Sequence, residues 1–347
     1  MAGVTDRTPR QLGYRMPAEW EPHEATWLAW PHHHSDWPGK FAPVPWVYAD
    51  VVTKLARVER VHILVNDEAA EIKARECLEK AGANLDAVQF FHCATNRSWV
   101  RDYCPLFVKN RAGEVAITKW RFNGWAKYPN WRADDAAVAC IAPRLEMPVW
   151  HPGLVLEGGA VDVNGEGVLM TTEECLLSED IQARNPGLGR AALEDALREY
   201  LGIERVLWLK RGIAGDDTHG HIDDLARFVN PHTIVIASES DPAEANYEPL
   251  AENLAILRSA VEWDVHKLPM PSPVYFEGQR LPASYANFYI ANGLVLVPTF
   301  NDPADRIALS ILSRLFNDRE VVGIHALDLV LGLGTLHCMT MQQPAKG

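Results

Sequence analysis

Six times along this chain a helical pattern leads, within a few residues, into a short apolar run of β character. The helical patterns lie at about 46–58, 68–82, 133–145, 190–202, 245–260 and 303–316. The extended runs that follow lie at 61–65, 87–91, 148–150, 205–209, 263–268 and 320–324. Loops beyond several of these runs carry polar clusters: Trp99-Val100-Arg101-Asp102, Leu156-Glu157-Gly158-Gly159, Gly220-His221-Ile222-Asp223 and Leu336-His337-Cys338. Asp102, Glu157, His221 and Cys338 are separated by 55, 64 and 117 residues, the last interval about twice the others. One repeat is therefore expected to be skipped, with Met270-Pro271-Ser272-Pro273 in its loop and no catalytic group. A period of this size is the mark of a propeller or solenoid. Chemistry shared between the first and last clusters requires the chain ends to meet, which a closed ring achieves and an open solenoid does not. The expectation is one α/β domain over residues 1–347, a ring of five units. Chance spacing in an ordinary α/β sheet is the alternative.

The 347 residues, 48% hydrophobic, suffice for one large domain or two. A formal net charge of −13 argues against nucleic acid, whose binding needs Lys and Arg to displace phosphate counterions. It suits a small cationic ligand, and equally serves solubility. No run of about 18 apolar residues is available to span a bilayer, and Met1 to Arg15 lack the apolar stretch of a secretory leader. The six cysteines form no C-x-x-C pair, so neither a zinc ribbon nor a thioredoxin-type site is signalled. A reducing, cytoplasmic setting is expected.

Cys338 lies in a glycine-bearing loop, Gly332-Leu333-Gly334-Thr335, and reads either as a thiolate nucleophile or as a small buried hydrophobe. The segment Gly215 to Asp224 packs four carboxylates and two imidazoles into ten residues. In an extended segment His219 and His221 share a face, and with Asp217, Asp223 or Asp224 they would make a metal site. Otherwise one His shuttles protons while carboxylates cradle a cation, or the turn is merely solvated. Asp102 is readable as an ion-pair partner of Arg101. Glu157 follows an apolar run and precedes two glycines, which puts a carboxylate at a site mouth or beside a surface turn. His32-His33-His34 read as an exposed loop rather than as ligands.

Taken together, these loops resemble the agmatine deiminases, within the guanidine-modifying or pentein superfamily that includes bacterial peptidylarginine deiminase. The resemblance runs from Tyr14-Arg15-Met16-Pro17-Ala18-Glu19-Trp20 to Gln342-Gln343-Pro344. It includes the four clusters above, Thr171-Thr172-Glu173-Glu174-Cys175-Leu176-Leu177 and Tyr285-Ala286-Asn287-Phe288-Tyr289-Ile290-Ala291-Asn292-Gly293. It implies a five-bladed pseudo-symmetric α/β propeller, the pentein fold, with the site on its axis. It also implies Cys338 as nucleophile, His221 as general acid and base, Glu157 as the carboxylate near that His, and Asp102 with Asp223 as the pair gripping a guanidinium. No metal and no organic cofactor is implied. The sequence departs from the family pattern at Leu333 and Thr335, at Tyr103-Cys104, and in an acidic run before His221 that is one residue shorter.

A guanidinium is planar and cationic, so two carboxylates can hold its N–H donors bidentately before sulfur attacks the central carbon. Agmatine is the expected substrate, converted with water to N-carbamoylputrescine and ammonia, a step toward putrescine. Its distal ammonium is assigned to Asp217, with Trp99 along the methylene chain. Free or peptidyl arginine, the alternative substrates, would instead need a basic group for the carboxylate or an opening for peptide. A non-catalytic binding protein on the same propeller, such as a ribosome-associated translation factor, is the reading from another class. The expected partner is a small cationic guanidine, with neither nucleic acid nor membrane. A homo-oligomer is left open.

Overall fold

The computed structural model describes residues 7–260 and 262–347, so the first six residues of the leader reading lie outside the described part. In chain order the regular elements are β1 (His23–Ala29), α1 (Val44–Leu55), β2 (Arg60–Val65), α2 (Glu68–Lys80), β3 (Val88–His92), β4 (Leu106–Lys109) and β5 (Val115–Thr118). Next come α3 (Arg132–Leu145), β6 (Val149–Trp150), β7 (Asp162–Val163), β8 (Val168–Thr172), α4 (Glu173–Leu176), α5 (Arg190–Leu201) and β9 (Arg205–Leu209). Then follow β10 (Ala226–Asn230), β11 (Thr233–Ser238), α6 (Tyr247–Ser259), β12 (Asp264–Pro269), β13 (Tyr275–Phe276) and β14 (Gln279–Arg280). The chain closes with β15 (Tyr289–Ala291), β16 (Leu294–Thr299), α7 (Pro303–Leu315), β17 (Glu320–His325) and β18 (Met341–Pro344).

Each of the six expected helix and strand pairs is present, within about three residues of its expected bounds. What sequence periodicity did not reveal is the antiparallel hairpin that precedes four of these helices, α3, α5, α6 and α7. In β4-β5-β6, β7-β8-β9, β10-β11-β12 and β15-β16-β17 the first two strands pair antiparallel and the third returns parallel after a helix. The fifth sheet has order β18-β1-β2-β3, and its antiparallel pair joins the last strand of the chain to the first. Register in this pair matches Trp27 with Met341, and Trp27 Nε1 donates to Gln343 Oε1 at 2.9 Å. Central strands such as β11 and β16 are apolar and almost wholly buried, as expected of a strand covered on both faces. The returning strands β9, β12 and β17 lie at sheet edges and are half-exposed.

Local chemistry explains the helix starts. Asp67 accepts the Ala70 amide at the head of α2, and Asp302 with Asp305 forms a capping box around Pro303 at the head of α7. Among the described residues no helix is long and apolar enough to cross a membrane.

Candidate active site

The loops after the returning strands carry polar groups to a common point. Asp102 follows β3, Glu157 follows β6, His221 and Asp223 follow β9, and Cys338 follows β17. Three of these loops end in a 3-10 turn, Val100–Asp102, Gly158–Ala160 and Ile222–Asp224, leading into the next hairpin. The fourth unit is not empty, contrary to the expectation of a skipped repeat. Beyond Met270-Pro271-Ser272-Pro273 and the small β13-β14 hairpin its loop delivers Asn287, whose Nδ2 lies 3.1 Å from Cys338 Sγ. The spacing signal failed here because this loop is lengthened by the hairpin and carries a neutral amide rather than a charge.

The His221 ring sits among three carboxylates: Nδ1 is 3.9 Å from Asp102 Oδ1 and from Asp223 Oδ1, and Nε2 is 3.9 Å from Glu157 Oε2. Neither ring nitrogen has a hydrogen-bond partner, although the side chain is only 1% exposed. Burial alone would lower its pKa, but Asp102, with Cys175 and Asp223 also adjacent, carries it well above the ordinary value. Glycine is required between these groups. A Cβ on Gly159 would lie 2.6 Å from His221 Nδ1, 2.9 Å from Asp102 Oδ1 and 3.0 Å from Asp223 Oδ2.

Each carboxylate has a different support. Asp102 Oδ2 accepts from Trp125 Nε1 at 2.8 Å, and Oδ1 accepts from the Gly159 amide at 3.0 Å. Burial, reinforced by Asp223 and Glu157 and only partly offset by His221, raises its pKa to about 6. Glu157 Oε1 accepts from Arg184 Nε at 2.9 Å in a pair with no solvent exposure, which leaves Oε2 toward the imidazole. Asp223 Oδ2 accepts from His337 Nδ1 at 2.7 Å. His337 Nε2 in turn lies 2.7 Å from Glu19 Oε2, itself beside Arg227 and Arg101. Burial would raise Asp223, yet the His337 hydrogen bond and the nearby positive charges hold it below the usual carboxylate value.

Cys338 Sγ lies 3.6 Å from Asp223 Oδ2. Burial first, then Asp223, Asp224 and Asp102, push its thiol well above the ordinary value, which keeps it protonated near neutral pH. Asn287 builds the loop as well as touching the sulfur. Its Oδ1 accepts from Thr335 Oγ1 at 2.7 Å and from the His337 amide at 3.0 Å, and Nδ2 donates to Asp224 Oδ1 at 3.0 Å. Leu333, in the loop before Cys338, adopts a left-handed φ of 67°. Cys104, the other cysteine near Asp102, is enclosed, and burial raises its thiol well above the ordinary value.

Above Cys338 and Asp102 opens a cleft of about 590 Å³. Trp99 forms one wall, packed 5.4 Å from Trp37 and against Gly332 and Gly334. Asp217 is further out, its Oδ1 2.5 Å from Lys127 Nζ and its Oδ2 accepting from Tyr128 OH at 2.7 Å. The paired-histidine metal reading does not survive. His219 has φ of 64° and Gly220 of 93°, so the segment is not extended, and His219 turns toward Glu174 while His221 faces the carboxylates. Glu157, Cys175 and His221 do offer ligand atoms within 4.8 Å of one another, as do Asp223, Asp224 and Cys338. The three residues His32 to His34 diverge: His32 bonds two backbone carbonyls, His33 lies by Asn130, and His34 stacks on Phe41.

Sequence reasoning missed Asn287, Arg184, Glu19, His337 and Cys175 as parts of this site. Asn287, Glu19, Cys175 and His337 stood in motifs already singled out. Arg184 had no local signal at all.

A family profile for Porphyromonas-type peptidyl-arginine deiminases matches residues 15–344. The agmatine deiminase of Pseudomonas aeruginosa is 36% identical, with 97% of each chain covered. The chain belongs to this family. Among solved structures, the agmatine deiminase of Enterococcus faecalis superposes with a TM-score of 0.91 at 32% identity, covering 99% of both chains. The C. jejuni agmatine deiminase with substrate bound gives 0.88 at 28%, covering 96% of this chain and 97% of that one. An amidinotransferase of Microseira wollei, at 13% identity and a TM-score of 0.51, shares the fold alone.

Proposed function

We propose that this family member is a deiminase that hydrolyses agmatine to N-carbamoylputrescine and ammonia, with Cys338 as nucleophile, and that its five larger sheets form one pseudo-fivefold propeller domain. The observation that carries the reading is a buried sulfur flanked by Asp102, Asp223 and a hydrogen-bond-free His221 at the foot of the cleft. Asp102 and Asp223 take the guanidinium N–H donors and place its carbon before Sγ. The cation offsets the carboxylates that hold the thiol neutral, so substrate promotes its own nucleophile. The thiol gives up its proton to solvent through the cleft, and the thiolate adds to the carbon to give a tetrahedral adduct. His221 gives a proton to the departing ammonia, then takes one from the water that hydrolyses the S-alkylthiouronium intermediate. Glu157, anchored by Arg184, keeps the imidazole oriented and favours its charged form.

Two measurements test this. Ammonia release is compared for agmatine, arginine and an arginyl peptide. Turnover of agmatine with one equivalent of ammonia is expected, and none from agmatine would overturn the assignment. Ultraviolet titration of the Cys338 thiolate should show its pKa falling when a non-reactive guanidine binds. An unchanged value would refute activation by substrate.

A further inference from the structure

The cysteines show no C-x-x-C spacing, yet folding brings two of them, 47 residues apart, to one place. Cys93 stands directly after β3, and Cys140 lies on α3 one turn beyond Ala137. Each thiol reaches across to the other's backbone. Cys140 Sγ donates to His92 O at 3.4 Å, and Cys93 Sγ donates to Ala137 O at 3.8 Å. The two side chains are also in hydrogen-bond contact with each other. Their surroundings differ. Cys140 is half-buried, and Arg144, one turn further along the same helix face, places Nη1 2.8 Å from its sulfur. The same guanidinium donates to Cys140 O at 3.0 Å and to His92 O at 3.4 Å, which holds it over the pair. Cys93 is buried, and burial, with Cys140 beside it, pushes its thiol up.

We propose that Cys93 and Cys140 form a peroxide-sensitive dithiol, a modification site separate from Cys338, in which Cys140 is oxidised first and Cys93 resolves it to a disulfide. A thiolate is the form that attacks a peroxide, and Arg144 offers that anion a charged hydrogen-bond donor beside solvent. The Cys140 sulfur breaks the O–O bond and becomes a sulfenic acid, and the departing hydroxide takes up the proton the thiol released. Cys93 then attacks that sulfur. An S–S bond forms, the S–O bond breaks, and the hydroxyl leaves with the Cys93 proton as water. In all, the two sulfurs are oxidised and one peroxide is reduced to water. The other thiols are less suited. Cys77 is half-buried but donates to Pro45 O, with no thiol in hydrogen-bond contact among the described residues. Cys104 and Cys175 are enclosed, and burial and carboxylates keep Cys338 protonated. Cys93 also opens the segment that leads to Trp99 and Asp102. That segment is already pinned to the head of α3 by Asp134, whose Oδ1 accepts the Asn96 amide at 2.6 Å. The disulfide adds a covalent tie between the same two elements.

The test treats the intact protein with increasing hydrogen peroxide and maps every cysteine by mass spectrometry of an unreduced digest. A linked Cys93–Cys140 peptide pair, lighter by the mass of two hydrogens and reverting with dithiothreitol, is expected before any oxidation of Cys338. Cys338 oxidised while Cys93 and Cys140 both remain thiols overturns the proposal, as does a disulfide joining Cys93 to Cys104. In Cys93→Ser, Cys140 should accumulate as a sulfenic acid that dimedone traps. In Cys140→Ser, Cys93 should stay a thiol, and its oxidation as readily as in wild type would refute Cys140 as the point of entry. Arg144→Met should slow disulfide formation about tenfold, because the thiolate loses its charged donor. An unchanged rate would contradict activation by Arg144.

Discussion

Gly159→Ala is the substitution on which the geometry makes its sharpest demand. The backbone at Gly159 is outside the left-handed region, so an alanine meets no conformational strain there. Its methyl would nevertheless stand 2.6 Å from His221 Nδ1, well inside the 3.4 Å at which ordinary contact begins, with the Asp102 and Asp223 oxygens at 2.9 and 3.0 Å. His221 must retreat by most of an ångström, and misplacing a catalytic group by about 1 Å costs roughly 10²-fold in rate. Overpacking a buried site costs about 1–3 kcal/mol of stability, so the protein should still fold. Steady-state ammonia release and a thermal melt measure the two effects separately. We expect kcat/KM for agmatine to fall about hundredfold, with a modest drop in melting midpoint. Gly189→Ala is the control, since Gly189 has φ of −71° and nothing within 4 Å of the added methyl. Activity within about threefold of wild type for Gly159→Ala would show that His221 is not held where its function requires.

Cys338→Ala should abolish turnover while leaving the melt close to wild type, whereas Cys104→Ala should remain active; the reverse pattern would move the nucleophile to Cys104. Asn287→Ala removes a donor 3.1 Å from the sulfur, and a hydrogen bond to a charged group is worth about 1.5–3 kcal/mol, so kcat should drop about tenfold to hundredfold. A kcat equal to wild type would make Asn287 a bystander. Asp102, with a pKa of about 6, takes up a proton below that pH and ceases to attract a cation. Affinity of the Cys338→Ala protein for a guanidine should therefore weaken as pH falls below about 6, and flat binding between pH 7.5 and 5 would contradict it. The sign is opposite for folding. A carboxyl raised above its ordinary value favours the folded state most at low pH, and that contribution is lost as pH rises through about 6.

The helix and strand pairs were legible because each is written in local periodicity, and α7 even announces its start with Asp302-Pro303. The hairpins were not, because strands as short as β7, two residues long, carry too little pattern to stand out. Among site residues, charge and reactivity made Asp102, Glu157, His221, Asp223 and Cys338 conspicuous, and the family resemblance attached roles to them. Asn287 stood inside a motif without a role, since a neutral amide gives no sign of what it will touch. Asp217 was assigned to a ligand ammonium, and only folding showed Lys127 on it.

The amino-acid sequence by itself determined the repeated units, the loops that end them and the chemical types those loops carry, because all three depend on neighbours a few residues apart. Tertiary structure decided which groups meet and in what ionisation state. His221 becomes a highly basic ring only when Asp102, 119 residues away, is brought to 3.9 Å from it in a buried setting. Cys338 becomes a suppressed thiol only when β18 pairs with β1 and draws the last loop against the first. Charge interactions weaken with distance and strengthen with burial, and neither quantity exists until the chain has folded.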